Sequence, residues 1–414
     1  MSYTRRDFLK GALGASIALP LGAVLPNLSP PAAGSATRPR RAKKRDDRKT
    51  VLVVVQLSGG NDGLNSVVPY ADDEYARNRP TLRLPSEDLH KINSYIGFHP
   101  RMGAFMRLYE EGVLSIVQGV GSPKADSSHE NAMRIWHTGD PENLARQRGW
   151  LGRAVDNEWN AGTINTPAIF VGAIPRPFAL NARNAIIPSV RRADDLAAAE
   201  IPQTAELPRA EAGESLLSFV GQCRARAWAN SRRIEAAAKD AAGAAEYPPF
   251  GLANYLRTVA RLIRADVGLR IFFVELGGGG IGGFDNHANQ LGNHCALLHQ
   301  LSESTAAFID DLKRDRLLDR VLLMTFSEFG RTLKENGRRG TDHGNAAPVF
   351  LAGGKLKKGL VGTHPSLTDV DKGALKVGID FRRVYAMVLD QWLGFESRAV
   401  LDGPAAGGLD ILNV

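Results

Sequence analysis

Val321-Leu322-Leu323-Met324-Thr325-Phe326 runs straight into Ser327-Glu328-Phe329-Gly330-Arg331. The first six residues form a continuous, largely apolar run, which predicts a strand buried on both faces of a parallel sheet. Past Phe326 the chain turns polar. It offers Glu328 and Arg331, then Asp342 and His343 within Gly340-Thr341-Asp342-His343-Gly344. Ligands of an open α/β sheet sit beyond the carboxyl ends of its strands, so this span is a candidate active site. Taken alone, it also fits a plainer account: a surface ion pair and a turn.

The same pattern recurs upstream. Val51-Leu52-Val53-Val54-Val55-Gln56-Leu57 reads as a strand buried on both faces and ends in Ser58-Gly59-Gly60-Asn61-Asp62-Gly63. A glycine pair there lets the backbone turn sharply and approach a ligand, with Asp62 at the strand's carboxyl end. Asn-Asp-Gly is equally an ordinary turn. A helix over 100–111 and a strand over 113–119 lead to Asp126-Ser127-Ser128-His129-Glu130. Ser127 with Glu130 fits a capping box, which predicts Ser127 as the N-cap. A helix start also favours an anion, so a serine there can stand beside one.

Further strands are predicted over 168–171, 270–276 and 348–352. The loop from Gly277 to Gly283 lacks the Gly-Lys-Ser/Thr of a phosphate-binding P-loop, but it delivers Asp285 and His287. His294 and His299, five residues apart, do not share a helix face and read as structural. Residues 190–265 are rich in Ala, Arg and Glu and read as a helical insertion. A last helix over 380–393 carries Phe381, Val384, Tyr385, Val388, Leu389 and Trp392 as a core-facing stripe.

With 43% hydrophobic and 23% charged residues, the 414-residue chain has an ordinary globular composition. The formal charge of +8 resides wholly in the first ten residues and in residues 38–49. The remainder sums to zero, which argues against a nucleic-acid surface. Cys223 and Cys295 are the only cysteines, too few for a disulfide scaffold or a cysteine-rich zinc site. Two unpaired buried thiols are expected.

Asp62, Ser128, Asp285 with His287, and Glu328 with His343 each follow a different predicted strand. A parallel sheet brings all of them to one edge. Carboxylates and imidazoles without thiolates suit zinc, manganese, magnesium or calcium. Two such ions about 4 Å apart could clamp a phosphoryl or sulfuryl oxygen. A serine or a metal-activated water would be the nucleophile, and Arg331 could fork onto an anionic substrate.

Thr4-Arg5-Arg6-Asp7-Phe8-Leu9-Lys10 resembles the twin-arginine export signal. The apolar stretch from Gly11 to Leu25, interrupted by Pro20, is short for a membrane span. The resemblance implies a signal peptide over 1–36 and a basic linker over 37–49, followed by a single domain over 50–414. It also implies the twin-arginine translocase as a partner, no transmembrane span in the mature protein, and a periplasmic or extracellular destination.

The order of an Asp after the first strand, a Ser at a helix start, a late Asp/His pair and a final Asp-His-Gly is similar to the alkaline-phosphatase-like superfamily. More closely, the chain after the linker resembles domain-of-unknown-function family 1501. The stretches that carry this are Gly59-Gly60-Asn61-Asp62-Gly63-Leu64, Ser128-His129, Trp150-Leu151-Gly152-Arg153, Phe284-Asp285-Asn286-His287 and Ser327-Glu328-Phe329-Gly330-Arg331. Gly340-Thr341-Asp342-His343-Gly344 and Phe381-Arg382-Arg383-Val384-Tyr385-Ala386 complete them. The resemblance implies an α/β fold with a mostly parallel sheet between helices. Asp62, Asp285, His287, Glu328, Asp342 and His343 are then the expected metal ligands, and Ser128, His129 and Arg331 the expected catalytic residues. Two departures stand out. Glu328-Phe329 replaces the Asp-His that usually ends the late strand of phosphatases and sulfatases, and Asn289 breaks their Asp-x-x-x-His spacing. The expected function is an exported metal-dependent hydrolase of small anionic phosphate or sulfate esters. The alternative is an envelope binding or assembly protein that kept the fold and lost the chemistry.

Overall fold

Valine-rich runs with no polar face can be buried only between two layers of helix. A computed structural model of the chain describes residues 50–158, 167–191, 245–277, 283–357, 359–401 and 408–413, and it has this architecture. Strand β1 (Val51–Leu57) lies at the centre of the main sheet. The other strands are β2 (Leu114–Gly121), β3 (Ala168–Val171), β4 (Ser189–Val190), β5 (Ile271–Leu276), β6 (Val321–Phe326), β7 (Ala347–Gly353), β8 (Gly359–Val361) and β9 (Ile379–Asp380). Their order is β8-β2-β7-β6-β1-β5-β3-β4, with β9 also paired to β2.

β1 pairs in parallel with both β5 and β6, Val54 standing opposite Phe273 on one side and Met324 on the other. Among the described strands of the main sheet, only β7 runs against its neighbours, β6 and β2. The reason is the connection. Parallel return needs a crossover, usually a helix, and the loop between β6 and β7 carries the candidate site instead. β2 and β6, both antiparallel to β7, therefore point the same way, as do β1 and β5.

Alternate residues of β1 feed two cores. Val51, Val53, Val55 and Leu57 face the first, with α1 (Gly103–Glu110), α4 (Gly251–Arg264) and α5 (Gln290–Arg314). Leu52 and Val54 face the second, with α2 (His129–Thr138), α3 (Trp150–Glu158) and α6 (Phe381–Met387). The α6 stripe is buried as expected, though the helix continues as a π-helical turn over Val388–Leu393. Trp392 ends it by donating its indole N–H to the Val51 carbonyl at 2.9 Å.

The expected signal peptide and linker lie outside the described residues, as do Cys223 and most of the 190–265 insertion. Within that span α4 is a helix with its apolar face in the first core. Cys295 is a half-buried free thiol on α5. Among the described residues no helix is long and apolar enough to cross a membrane.

Candidate metal centre

The Gly59-Gly60 turn after β1 is the scaffold of the site. Both glycines have positive φ, 112° and 84°. A Cβ on Gly59 would stand 2.5 Å from the Asp285 nitrogen, and one on Gly60 would stand 2.4 Å from the Phe329 ring. Only glycine allows three loops to meet so closely.

Arg331 locks that meeting. Its guanidinium is wholly buried and donates to the carbonyls of Gly59, Gly60, Phe284 and Thr341 and, at 2.8 Å, to Asp285 Oδ1. The fork expected for a substrate anion is not presented to solvent: the guanidinium is buried, each of its nitrogens donates inside the protein, and it fixes Asp285. Burial alone would raise the Asp285 pKa, yet the Arg331 guanidinium beside it brings it down to about 2. Asp285 is a carboxylate at any physiological pH.

Three imidazoles converge on that carboxylate. His287 Nε2 lies 3.0 Å and His343 Nε2 3.2 Å from Asp285 Oδ1, and His129 Nε2 lies 3.4 Å from Oδ2. Each ring is held from behind through its other nitrogen. His129 Nδ1 meets Glu328 Oε1 at 2.9 Å, His287 Nδ1 meets Asp342 Oδ1 at 3.2 Å, and His343 Nδ1 meets the Ser127 carbonyl at 2.6 Å. A carboxylate or carbonyl only accepts, so all three Nδ1 atoms carry the proton. In the neutral rings all three Nε2 atoms then present lone pairs to one another. His287 Nε2 and His343 Nε2 stand 3.0 Å apart, two lone pairs face to face when both rings are neutral. His129 Nε2 is buried and has no hydrogen-bond partner among the described residues.

Arg331 reaches Asp285 from within the protein, but with the rings neutral no donor stands between the carboxylate and the three Nε2 atoms, and these acceptors repel one another. A divalent cation removes the conflict. The ligand atoms of His129, Asp285 and His343 lie within 4.8 Å of one another, so a small inward movement of the side chains brings them within reach of one ion, whose bonds of about 2.0–2.2 Å allow ligand atoms at most about 4.4 Å apart. Imidazoles oriented by carboxylates and carbonyls are the usual support of such a site. Beneath it, the buried Phe329 ring packs 4.4 Å from His343 and 4.9 Å from His129, centroid to centroid. The cluster stays open above, its side chains 17 to 44% exposed, so a substrate can reach it.

Asp285, His287 and His343, expected as ligands, are brought together, and His129, expected as catalytic, lies with them. Glu328 and Asp342, also expected as ligands, stand behind His129 and His287, against their Nδ1 atoms. Asp62 is elsewhere: it is buried and bound to the buried Arg79 and to Gln290. The helix start is corrected too. α2 begins at His129, and its N-cap is Ser128, whose Oγ accepts from the Asn131 N–H at 3.5 Å. Asp126 sets this register by accepting from the Ser128 N–H and Asn131 Nδ2. Arg79 and Gln290 had drawn no attention in the sequence, and Phe329 had stood out only as a departure from Asp-His. Arg79 sits among other polar residues 17 positions from its partner, and nothing local marks it.

The family model described as "Protein of unknown function (DUF1501)" matches residues 99–403. No curated protein matches the chain. Among solved structures it is similar to the zinc complex of the C-terminal periplasmic domain of EcEptC from Escherichia coli. Identity is 9%, coverage 73% of each chain and TM-score 0.36. It is similar to the lipoteichoic acid synthase LtaP from Listeria monocytogenes, with 10% identity, 80% and 74% coverage and TM-score 0.36. It is also similar to the PsFucS1 sulfatase from Pseudoalteromonas sp., with 11% identity, 88% and 71% coverage and TM-score 0.36.

Proposed function

Because the chain belongs to the DUF1501 family, whose function is unknown, its activity has to be read from the site, and we propose that it is an exported metal-dependent hydrolase of phosphate or sulfate esters. One observation carries this reading: three imidazole Nε2 atoms and one carboxylate face each other with no donor among them, at the exposed edge of the sheet. His129, Asp285, His287 and His343 hold the ion. A divalent ion bound there supplies Lewis-acid polarisation of an ester oxygen and acidifies a coordinated water.

The protein's own groups do the rest. Glu328 and the Ser127 carbonyl keep the His129 and His343 lone pairs aimed inward. Arg331 holds Asp285 charged. Ser128, exposed at the start of α2, is the proposed nucleophile, and the helix's first turn favours the substrate's anionic oxygens. Export is proposed from Arg5-Arg6 and the apolar segment behind them. Replacing both arginines by Lys is expected to retain the protein in the cytoplasm, and normal export of that variant would remove the assignment.

A second reading has one observation in its favour. Arg331, the one cation expected to face the substrate, is buried, which suits a binding or assembly protein that no longer turns over an ester. The test is a screen of phosphate monoesters, phosphodiesters and sulfate esters, with zinc, manganese, magnesium or calcium added, on the wild type, Ser128→Ala and His343→Ala. The hydrolase reading expects turnover that His343→Ala abolishes and Ser128→Ala lowers by several orders of magnitude. A metal-loaded wild type inert towards every ester supports the binding protein.

A further inference from the structure

We propose that the site is built for a single metal ion, and that the Arg79 guanidinium permanently occupies the place beside Asp62 that a second ion would need. The inference rests on the metal-site reading above and concerns the nuclearity of that site.

Asp62 follows β1 at the same sheet edge as the four converging ligands, so position alone would make it a ligand to a neighbouring ion. Its surroundings exclude this. Oδ1 accepts from Arg79 Nη2 at 2.9 Å, and Oδ2 accepts from Arg79 Nη1 and Gln290 Nε2. Arg79 is wholly buried, and its other donors are also placed: Nε on the Leu333 carbonyl at 3.0 Å, Nη1 on Asn65 Oδ1 at 3.1 Å, Nη2 on the Thr332 carbonyl at 2.9 Å. All the N–H groups of the guanidinium are accounted for, and it does not deprotonate in a protein. A divalent ion on Asp62 would have to sit against this fixed charge or expel a side chain that has nowhere to go. The pair already neutralises itself, as a buried carboxylate must.

The network is tied to the site without opening into it. Gln290 Oε1 accepts from Thr341 Oγ1 at 2.6 Å, and the Thr341 carbonyl accepts from Arg331. Glu328, another carboxylate at this edge, spends Oε1 on the Gly59 N–H and His129. Among the described residues, one group of His, Asp or Glu side chains is close enough to share an ion, the one containing His129, Asp285 and His343.

The test is metal content by mass spectrometry of the full chain, loaded with zinc or manganese and desalted, for the wild type, Asp62→Asn and His343→Ala. Anomalous diffraction from zinc-soaked wild-type crystals accompanies it, so that the result does not depend on a variant folding. The expected result is one equivalent in the wild type and in Asp62→Asn, loss in His343→Ala, and one anomalous peak among the imidazoles. Two equivalents in the wild type, or a peak within bonding distance of Asp62, overturns the inference while leaving the metal-dependent reading intact. No metal in the wild type overturns both.

Discussion

Two polar clusters lie at the carboxyl ends of neighbouring strands, and they are opposites. The Asp62–Arg79 cluster is buried and closed: the carboxylate meets a cation of matching geometry, and every guanidinium N–H has an acceptor. The His129–Asp285–His287–His343 cluster is open to solvent and incomplete, because its inward-facing atoms all accept and none donates. The difference lies in the balance of donors and acceptors, not in residue type or place on the sheet. A satisfied cluster stabilises the fold, and the unsatisfied one is where we propose that an ion binds.

The largest expected effect comes from breaking the closed cluster. Arg79→Met leaves the Asp62 carboxylate buried and unpaired, and about 3–5 kcal/mol of stability should be lost in denaturant unfolding. A loss below about 1 kcal/mol would mean that the two clusters do not differ as described. Metal content should be unchanged in whatever protein remains folded.

The next effect touches the open cluster from behind. Glu328→Gln keeps an acceptor for the Gly59 N–H but weakens the hold on His129, and metal affinity is expected to fall about 10–100-fold in chelator competition. Asp342→Asn should do less, since its contact with His287 is longer and more exposed. Equal or absent effects would show that the carboxylates do not support the imidazoles.

A smaller difference separates the two serines. Ser128→Ala removes the N-cap and should cost about 1 kcal/mol, whereas Ser127→Ala leaves the carbonyl that holds His343 and should cost almost nothing. Thermal unfolding of both variants decides between Ser128 and the Ser127 cap expected from the sequence.

Acid provides the mildest probe. Burial alone would raise the Asp62 pKa, but Arg79 brings it below the ordinary carboxylate value. A carboxyl depressed on folding contributes stability that is present above its unfolded pKa, about 3.9, and is lost as pH falls through the folded one. Unfolding stability should therefore drop more steeply below about pH 4 in the wild type than in Asp62→Asn. Identical acid limbs would contradict the pairing.

The strands were legible because burial on both faces leaves no polar alternation to misread. Val51–Leu57, Ala168–Val171 and Val321–Phe326 begin and end where their apolar runs do. The direction of β7 was not legible, since only the missing crossover reveals it. Site membership was partly legible: Asp285, His287 and His343 follow strands that do converge. Their division of labour was hidden. Asp62 and Asp285 look alike in sequence and each meets a buried arginine; what separates them is that Arg79 and Gln290 take both oxygens of Asp62 while three imidazoles face Asp285, contacts made across long stretches of chain. The α2 register was hidden because Asp126, not the Ser-x-x-Glu pattern, sets it.

The central claim is that the four facing acceptors need a cation. Thermal unfolding of the wild type, before and after chelation and again after restoring zinc, manganese, magnesium or calcium, tests it most directly. A bound ion at a hundredfold excess over its Kd stabilises by about 2.7 kcal/mol, so the expected result is a clear fall in Tm on chelation, reversed by at least one of the ions and absent in His343→Ala. A wild-type protein that carries no metal, and whose Tm responds neither to the chelator nor to any of the four ions, would contradict the account.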